Sequence, residues 1–313
     1  MTLPLHKFLP DRFLGKTGFH ATRLGIGDLA DRNVPIEQCV ATIQRALDAG
    51  LNIIDTAPSY EDGYSEQIVG QALQGMGGGR RDGMFVIDKI DHFDQPVAPQ
   101  IDGSLQRLQL DSIDLFLFHG LSTMEAWQRI TATGDGMDQL EKCIQAGKAR
   151  FRGISSHSPD VLAAAIPSGL CDVVLFPVGP YVDPRYITET IPLARKHNVG
   201  ILAMKIFGAG KLLSDTQGYH NPLAQRPRNK ISSGGTDTNT PTLPHLTVEE
   251  CLHYTLSHDI DVALLGLSFP NEQDTAFTAA KTFTQNLSEE KLATIRHRAL
   301  EAIQNKGTCW WNK

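Results

Sequence analysis

Three apolar runs in this chain end in residues that can hold or move a proton. Asn52-Ile53-Ile54-Asp55 closes on a carboxylate and presents a phenol, Tyr60, five residues later. Met84-Phe85-Val86-Ile87-Asp88-Lys89-Ile90 carries a lysine where a buried strand would carry an aliphatic residue, and Ile113-Asp114-Leu115-Phe116-Leu117-Phe118-His119 closes on a histidine. If the runs are successive strands of one parallel sheet or barrel, their ends converge and Asp55, Tyr60, Lys89 and His119 meet. The chemistry that suits such a quartet is carbonyl reduction and its reverse. Hydride delivered to a carbonyl carbon leaves negative charge growing on the oxygen, and a positioned proton donor speeds that step by about 10²–10⁴-fold.

Each side chain then has an expected role. Tyr60 is the proton donor; a free phenol titrates near ~10, and a neighbouring ammonium is expected to bring that value down. Lys89 supplies the ammonium, and Asp55 is the counter-ion that keeps a desolvated lysine charged. His119 donates a hydrogen bond that orients the substrate oxygen. Plainer readings stand beside these. A single histidine after an apolar run is often an ordinary core or loop histidine, and Asp55 before Thr-Ala-Pro can simply cap a turn. Lys89 resists such a reading, because a lysine closing an apolar run is costly without a partner.

The elements that must position these residues follow from periodicity. Short apolar runs alternate with amphipathic segments from about residue 22 to residue 285, the pattern of repeated βα units. Strands are expected near 23–27, 51–54, 84–90, 113–118, 150–154, 172–176, 199–204 and 262–266. Helices are expected near 36–49, 64–75, 98–108, 135–147, 159–166, 185–197, 247–258 and 272–284. Arg12-Phe13-Leu14-Gly15-Lys16-Thr17-Gly18-Phe19 reads as a hairpin, and Ser288 as the N-cap of a final helix. Gly75-Met76-Gly77-Gly78-Gly79-Arg80 reads as a linker. The segment 214–246, polar and rich in Gly, Pro, Ser, Thr and Asn, is a long insertion after the seventh strand, either a lid over the site or a disordered decoration.

The motifs around the quartet resemble the aldo-keto reductase superfamily. The likeness runs from Asn52-Ile53-Ile54-Asp55-Thr56-Ala57 and Tyr60 through the Ser65–Leu73 helix, the Lys89 strand and Asp114–His119. It implies an α/β fold, a (β/α)₈ TIM barrel over residues 1–313 with an N-terminal hairpin plugging its bottom and a C-terminal helix. It also implies a nicotinamide cofactor, NAD or NADP, across the top, and a catalytic set of Asp55, Tyr60, Lys89 and His119. Ser155 and Ser156 map to the segment that holds the nicotinamide carboxamide, although Ser156 can equally cap the next helix. Leu175 stands where the family commonly has a glutamine. Met204 replaces an aromatic beneath the nicotinamide, and Phe207, Gly208, Ala209, Gly210 and Leu212 form a glycine-rich turn of a bacterial branch, expected to bring backbone N–H groups to the pyrophosphate. Gly266, Ser268, Asn271, Gln273 and Asp274 map to the adenosine end. With no Lys or Arg between Asp259 and Lys281, and with Glu272 and Asp274 opposing a 2′-phosphate, the reading leans to NAD.

The substrate is expected to be a small carbonyl compound or sugar, held by loops that include Asp28, Leu29 and Trp127, the last either in the pocket or packing a helix. Composition bounds the alternatives. Of 313 residues, 41% are hydrophobic, enough for a large core, and the net charge of −6 without a basic run argues against nucleic acid as partner. No segment is apolar enough to span a membrane, which with the unremarkable N-terminus gives the expectation of a cytoplasmic protein. Five scattered cysteines give neither a disulfide framework nor a zinc pattern. The rival class is a barrel that keeps cofactor for regulation with little turnover.

Overall fold

Side-chain parity along the strands decides what the barrel interior contains. The computed structural model describes residues 7–28, 32, 34–74, 83–213, 241–266, 270–309 and 311–312. Eight parallel strands close into one barrel: β3 (Leu24–Ile26), β4 (Ile53–Asp55), β5 (Phe85–Ile90), β6 (Leu115–Phe118), β7 (Phe151–Ser155), β8 (Val173–Pro177), β9 (Gly200–Met204) and β10 (Val262–Leu265), with β10 back beside β3. Ile53, Phe85, Ile87, Leu115, Leu117, Val173, Leu175 and Leu202 form a compact inner cluster, while Ile54, Val86 and Phe116 belong to the larger core outside it. Successive residues on a strand point to opposite faces, so Asp55, Lys89 and His119 extend the inward rows 53–55, 85–87–89 and 115–117–119 at their C-terminal ends. Asp88 takes the opposite face. Each expected strand is present within two residues of its expected ends.

The bottom of the barrel is plugged. Strands β1 (Arg12–Phe13) and β2 (His20–Ala21) pair antiparallel, and Leu14, fully buried, joins the inner cluster from below. The approach is close: a Cβ on Gly15, at φ +47°, would lie 2.2 Å from the Gly200 nitrogen. Only a glycine fits there.

The outer layer is helical: α1 (Ile36–Asp48), α2 (Tyr64–Gln74), α3 (Val97–Leu108), α4 (Met124–Ile130), α5 (Gly136–Gln145), α6 (Pro159–Ala165), α7 (Ile191–Lys196), α8 (Val248–Leu256), α9 (Pro270–Thr282) and α10 (Glu289–Ile303). Helix α4 was not among the expected elements; Thr123 caps it, its hydroxyl accepting from the Ala126 N–H. The helix expected over 185–197 opens instead with a wider π turn at Tyr186–Thr190. Pro192 has no N–H to donate, and the backbone adjusts just ahead of it. Ser288 caps α10 as expected, accepting from Lys291 N at 3.3 Å. Near the chain end, Lys306 Nζ donates to the Lys211 and Pro244 carbonyls, both at 2.9 Å, and Lys211 Nζ donates back to the carbonyls of Lys306 and Thr308. The linker 75–80 and residues 214–240 of the long insertion lie outside the described residues. Among the described residues no helix is long and apolar enough to cross a membrane.

Candidate active site

The inward rows deliver three of the four sequence-predicted side chains to the C-terminal rim. Lys89, 1% exposed, donates from Nζ to Asp55 Oδ1 at 2.7 Å and to the Thr56 carbonyl at 2.6 Å. Burial lowers the affinity of such an amine for its proton, but the Asp55 carboxylate and the Tyr60 phenol more than offset this, and the ammonium is held above its ordinary value. Asp55 itself is pushed upward by burial, against the pull of Lys89.

Tyr60 comes from the loop after β4. That loop turns tightly: Glu61, Asp62 and Gly63 all have positive φ (52°, 50° and 82°), and Arg32 Nε holds the Glu61 carbonyl at 2.8 Å. The turn brings the Tyr60 ring over the lysine, with Nζ 4.6 Å from the ring centroid. Burial outweighs the downward pull that Lys89 exerts on the phenol, so the net shift is opposite to the expected one. Desolvation is the larger effect, and with the carboxylates of Asp55 and Asp28 adding to it, the Tyr60 hydroxyl is pushed up to about 12. Asp28, half-buried after β3, is close enough to be felt at both Tyr60 and Asp55.

His119 follows β6, its backbone N–H donating to the Ile90 carbonyl at 2.9 Å. Its ring stands edge-on to Tyr60, with centroids 5.5 Å apart and planes at 82°. Sequence reasoning missed its partner. Asp91, the residue after β5, makes a short contact from Oδ1 with His119 Nδ1 and accepts from the Ser59 backbone N–H on Oδ2 at 2.8 Å. The hydrogen bonds from His119 and Ser59 outweigh the effect of burial and hold the Asp91 carboxyl below its ordinary value. Burial holds His119 below its ordinary value, with Lys89 adding to this and Asp91 opposing it. The available signal was a second acidic residue two positions beyond Lys89, on the same side of the strand by parity.

The residues expected around a cofactor divide into two groups. Ser155, Leu175 and Met204 share a shelf along the rim of β7, β8 and β9, where Ser155 pairs with Leu175 and Pro177 with Met204 in the strand register. Ser155 Oγ accepts from the Gly120 N–H at 2.8 Å, which leaves its own proton to donate. Ser156 is fully buried, and its hydroxyl accepts from Ser158 N at 3.1 Å, so it serves the turn into α6. Beyond β9, Gly208, Ala209 and Gly210 all have positive φ (55°, 51° and 86°), with Phe207 and Leu212 buried beneath. The Gly208 and Gly210 N–H groups bond within the turn, at 2.9 and 3.0 Å to the carbonyls of Lys205 and Phe207.

At the adenosine end the expected residues turn elsewhere. Gln273, 3% exposed, donates to the Thr42 carbonyl at 3.3 Å, and Asp274 pairs with Arg45, so both spend their bonds on α1. Gly266 follows β10 and is half-exposed, and Asn271 lies in the first turn of α9. Ser268 and Leu29 lie outside the described residues. Trp127, 7% exposed, packs in the outer core with α4, its helix-packing alternative. Among the described residues no group of His, Cys, Asp or Glu is placed to hold a metal ion.

Comparison with known proteins agrees with this fold. A model of the aldo/keto reductase family matches residues 22–298. L-galactose dehydrogenase of Arabidopsis thaliana is 25% identical over 309 residues, spanning 94% of this chain and 95% of that protein. The aldo-keto reductase YhdN of Bacillus subtilis is 27% identical, spanning 89% and 90%. Among solved structures, the holo form of aldo-keto reductase AKR11C1 from Bacillus halodurans superposes with a TM-score of 0.67 at 24% identity, over 94% of this chain and 97% of that one. An aldo-keto reductase from Klebsiella pneumoniae in complex with NADPH gives 0.66 at 20% identity, over 96% and 98%. An eight-stranded parallel barrel, a hairpin plug and a family match over nearly the whole length lead to one assignment: the chain belongs to the aldo/keto reductase family and is an NAD(P)-dependent oxidoreductase.

Proposed function

We propose that the protein interconverts a small carbonyl compound and its alcohol, with Tyr60 as the proton donor in reduction and acceptor in oxidation. The observation that carries this reading is the buried Lys89 ammonium, bonded to Asp55 at 2.7 Å and 4.6 Å from the Tyr60 ring centre. A phenol that titrates near 12 is fully protonated at neutral pH, so it has a proton to give. When the proton leaves, the charge on the phenolate falls beside Lys89, which stabilises it at the moment it forms. Lys89 thus acts on the product of proton transfer more than on the resting phenol, and Asp55 keeps it charged.

The residues at the rim fit a nicotinamide dinucleotide. Ser155 has a hydroxyl proton for a carboxamide oxygen, and Met204 and Leu175 give an apolar shelf for a ring. When bound, the cofactor supplies or takes up the hydride. The negative charge of Asp274, which would oppose a 2′-phosphate, is answered by Arg45. We therefore propose NADP(H), the dinucleotide named for the Klebsiella relative. Titration with NADH and NADPH by fluorescence tests it; clearly tighter NADH binding sinks the NADP(H) reading. For the chemistry, Tyr60→Phe is expected to abolish most turnover and leave dinucleotide affinity within a few-fold, because only the transferable proton is removed. Near wild-type turnover in that variant removes Tyr60 from the role.

A further inference from the structure

The turn that follows Tyr60 is strained where its sequence offers no relief. Glu61 and Asp62 take φ of 52° and 50°, backbone that residues with a side chain avoid, and only the third residue of the turn, Gly63, is a glycine. Strain of this kind persists only where neighbouring groups over-determine the conformation. Those groups come from the segment between β3 and α1. Arg32 Nε donates to the Glu61 carbonyl at 2.8 Å, and a terminal nitrogen of the same guanidinium donates to that carbonyl, lies 3.4 Å from the Asp62 carbonyl and pairs with the Asp62 carboxylate at 3.2 Å. Two residues on, the Val34 carbonyl accepts from the Tyr64 hydroxyl at 3.1 Å.

Tyr60 is therefore mounted from both sides along the chain. Before it, the Ser59 N–H is held by Asp91 at 2.8 Å; after it, the Glu61 carbonyl is held by Arg32. A planar guanidinium presents several N–H groups at once, which suits it to two successive carbonyls and a carboxylate. The Arg32 side chain is itself 50% exposed, so it packs little of the core and its bonds act on the turn alone. We propose that Arg32 is a positioning residue for the reaction: it holds the Glu61–Gly63 turn in its strained form, and that form keeps the Tyr60 ring over the Lys89 ammonium. This rests on the reading of Tyr60 given above. Without the guanidinium, Glu61 and Asp62 relax toward negative φ, and the phenol joined to them leaves its place 4.6 Å from Nζ. A misplacement of about 1 Å at a reacting group can cost about 10²-fold in rate.

Two measurements test it. The first is a ¹³C spectrum of the protein labelled at tyrosine Cζ, with the Tyr60 signal assigned by its loss in Tyr60→Phe. Arg32→Ala is expected to move that signal as the ring leaves the ammonium. Adding Glu61→Gly and Asp62→Gly to Arg32→Ala is expected to bring it back, because glycine takes positive φ without strain and the turn no longer needs its brace. A signal that Arg32→Ala leaves in place, or that the glycines do not restore, overturns the proposal. So does a large drop in the melting temperature of Arg32→Ala, which would make the residue a support of the whole fold. The second is reduction of 4-nitrobenzaldehyde by NADPH. Arg32→Ala is expected to lower kcat by about tenfold or more, with KM and NADPH affinity within about threefold of wild type, and the two glycines to recover most of the loss. An unchanged kcat, or a loss confined to KM, overturns the proposal. If Tyr60→Phe keeps its turnover, or the wild type leaves the aldehyde untouched, the carbonyl reading fails on its own, and the Tyr60 signal, which requires no turnover, decides the Arg32 assignment separately.

Discussion

Lys89 and Tyr60 meet face to ring, the ammonium 4.6 Å from the phenol centroid and almost sealed from solvent. In that position the lysine contributes most when the phenol has lost its proton. Lys89→Met is therefore expected to lower kcat in both directions by about 10²-fold or more, with a much smaller change in KM. Steady-state kinetics on the best carbonyl and its alcohol check this; a variant that loses only substrate affinity assigns Lys89 to binding.

The pH dependence of reduction follows from the direction of the Tyr60 shift. The reactive form is the protonated phenol, and its value near 12 places the alkaline loss of activity beyond the neutral range. Single-turnover reduction is expected to show no limb assignable to Tyr60 between about pH 6 and pH 9. An alkaline limb near pH 8 that disappears in Tyr60→Phe would mean that the lysine, and not desolvation, dominates the phenol.

Asp88 gives a prediction about stability. It is fully buried, its Oδ1 accepts from the Lys89 N–H at 2.7 Å, and it faces Glu66, a fully buried carboxylate that Arg107 holds at both oxygens. Burial and then the Glu66 charge push Asp88 well above the usual carboxylate range. The folded value thus exceeds the unfolded one, so this contribution to stability is full below the unfolded value and is lost as pH rises through the folded one. Asp88→Asn has no proton to lose. Its melting temperature relative to wild type is expected to climb as pH is raised from about 5 to 9, and a constant difference across that range refutes the assignment.

Gly153 sits in β7 two residues before Ser155, and a Cβ there would lie 1.8 Å from the Val173 carbonyl oxygen of the neighbouring strand. No side-chain rotation relieves a contact with backbone. Gly153→Ala is expected to cost about 3 kcal/mol or more, with loss of soluble protein or a large drop in melting temperature. A melting temperature within a degree or two of wild type would show that the two strands can part at little cost.

Much of this architecture was legible because it rests on local pattern. The rows 53–55, 85–89 and 115–119 are short apolar runs broken at one end by a charged or titratable residue, and strand parity alone sends those residues to one rim. What escaped depends on register between strands or on the depth of burial. Asp91 reaches His119 only because β5 and β6 align Ile90 with Phe118, which no single-strand pattern specifies. Gln273 and Asp274 were assigned by spacing along the chain, whereas the packing of α9 on α1 gives them Thr42 and Arg45 as partners. The direction of the Tyr60 shift was misjudged because a neighbouring ammonium is visible in sequence and the loss of water around the ring is not.

Asp88 and Lys89 are consecutive, of opposite sign, and on opposite faces of one strand. A slip of β5 by a single residue would drive the Asp88 carboxylate into the barrel mouth against Asp55 and carry the ammonium to the opposite face, so the Lys89–Asp55 attraction would give way to a repulsion between two carboxylates. Apolar strands such as β8 carry no comparable penalty. The dipeptide therefore acts as a key against mispairing while the chain folds, and it makes β5 the strand from which the alignment of its neighbours β4 and β6 is set.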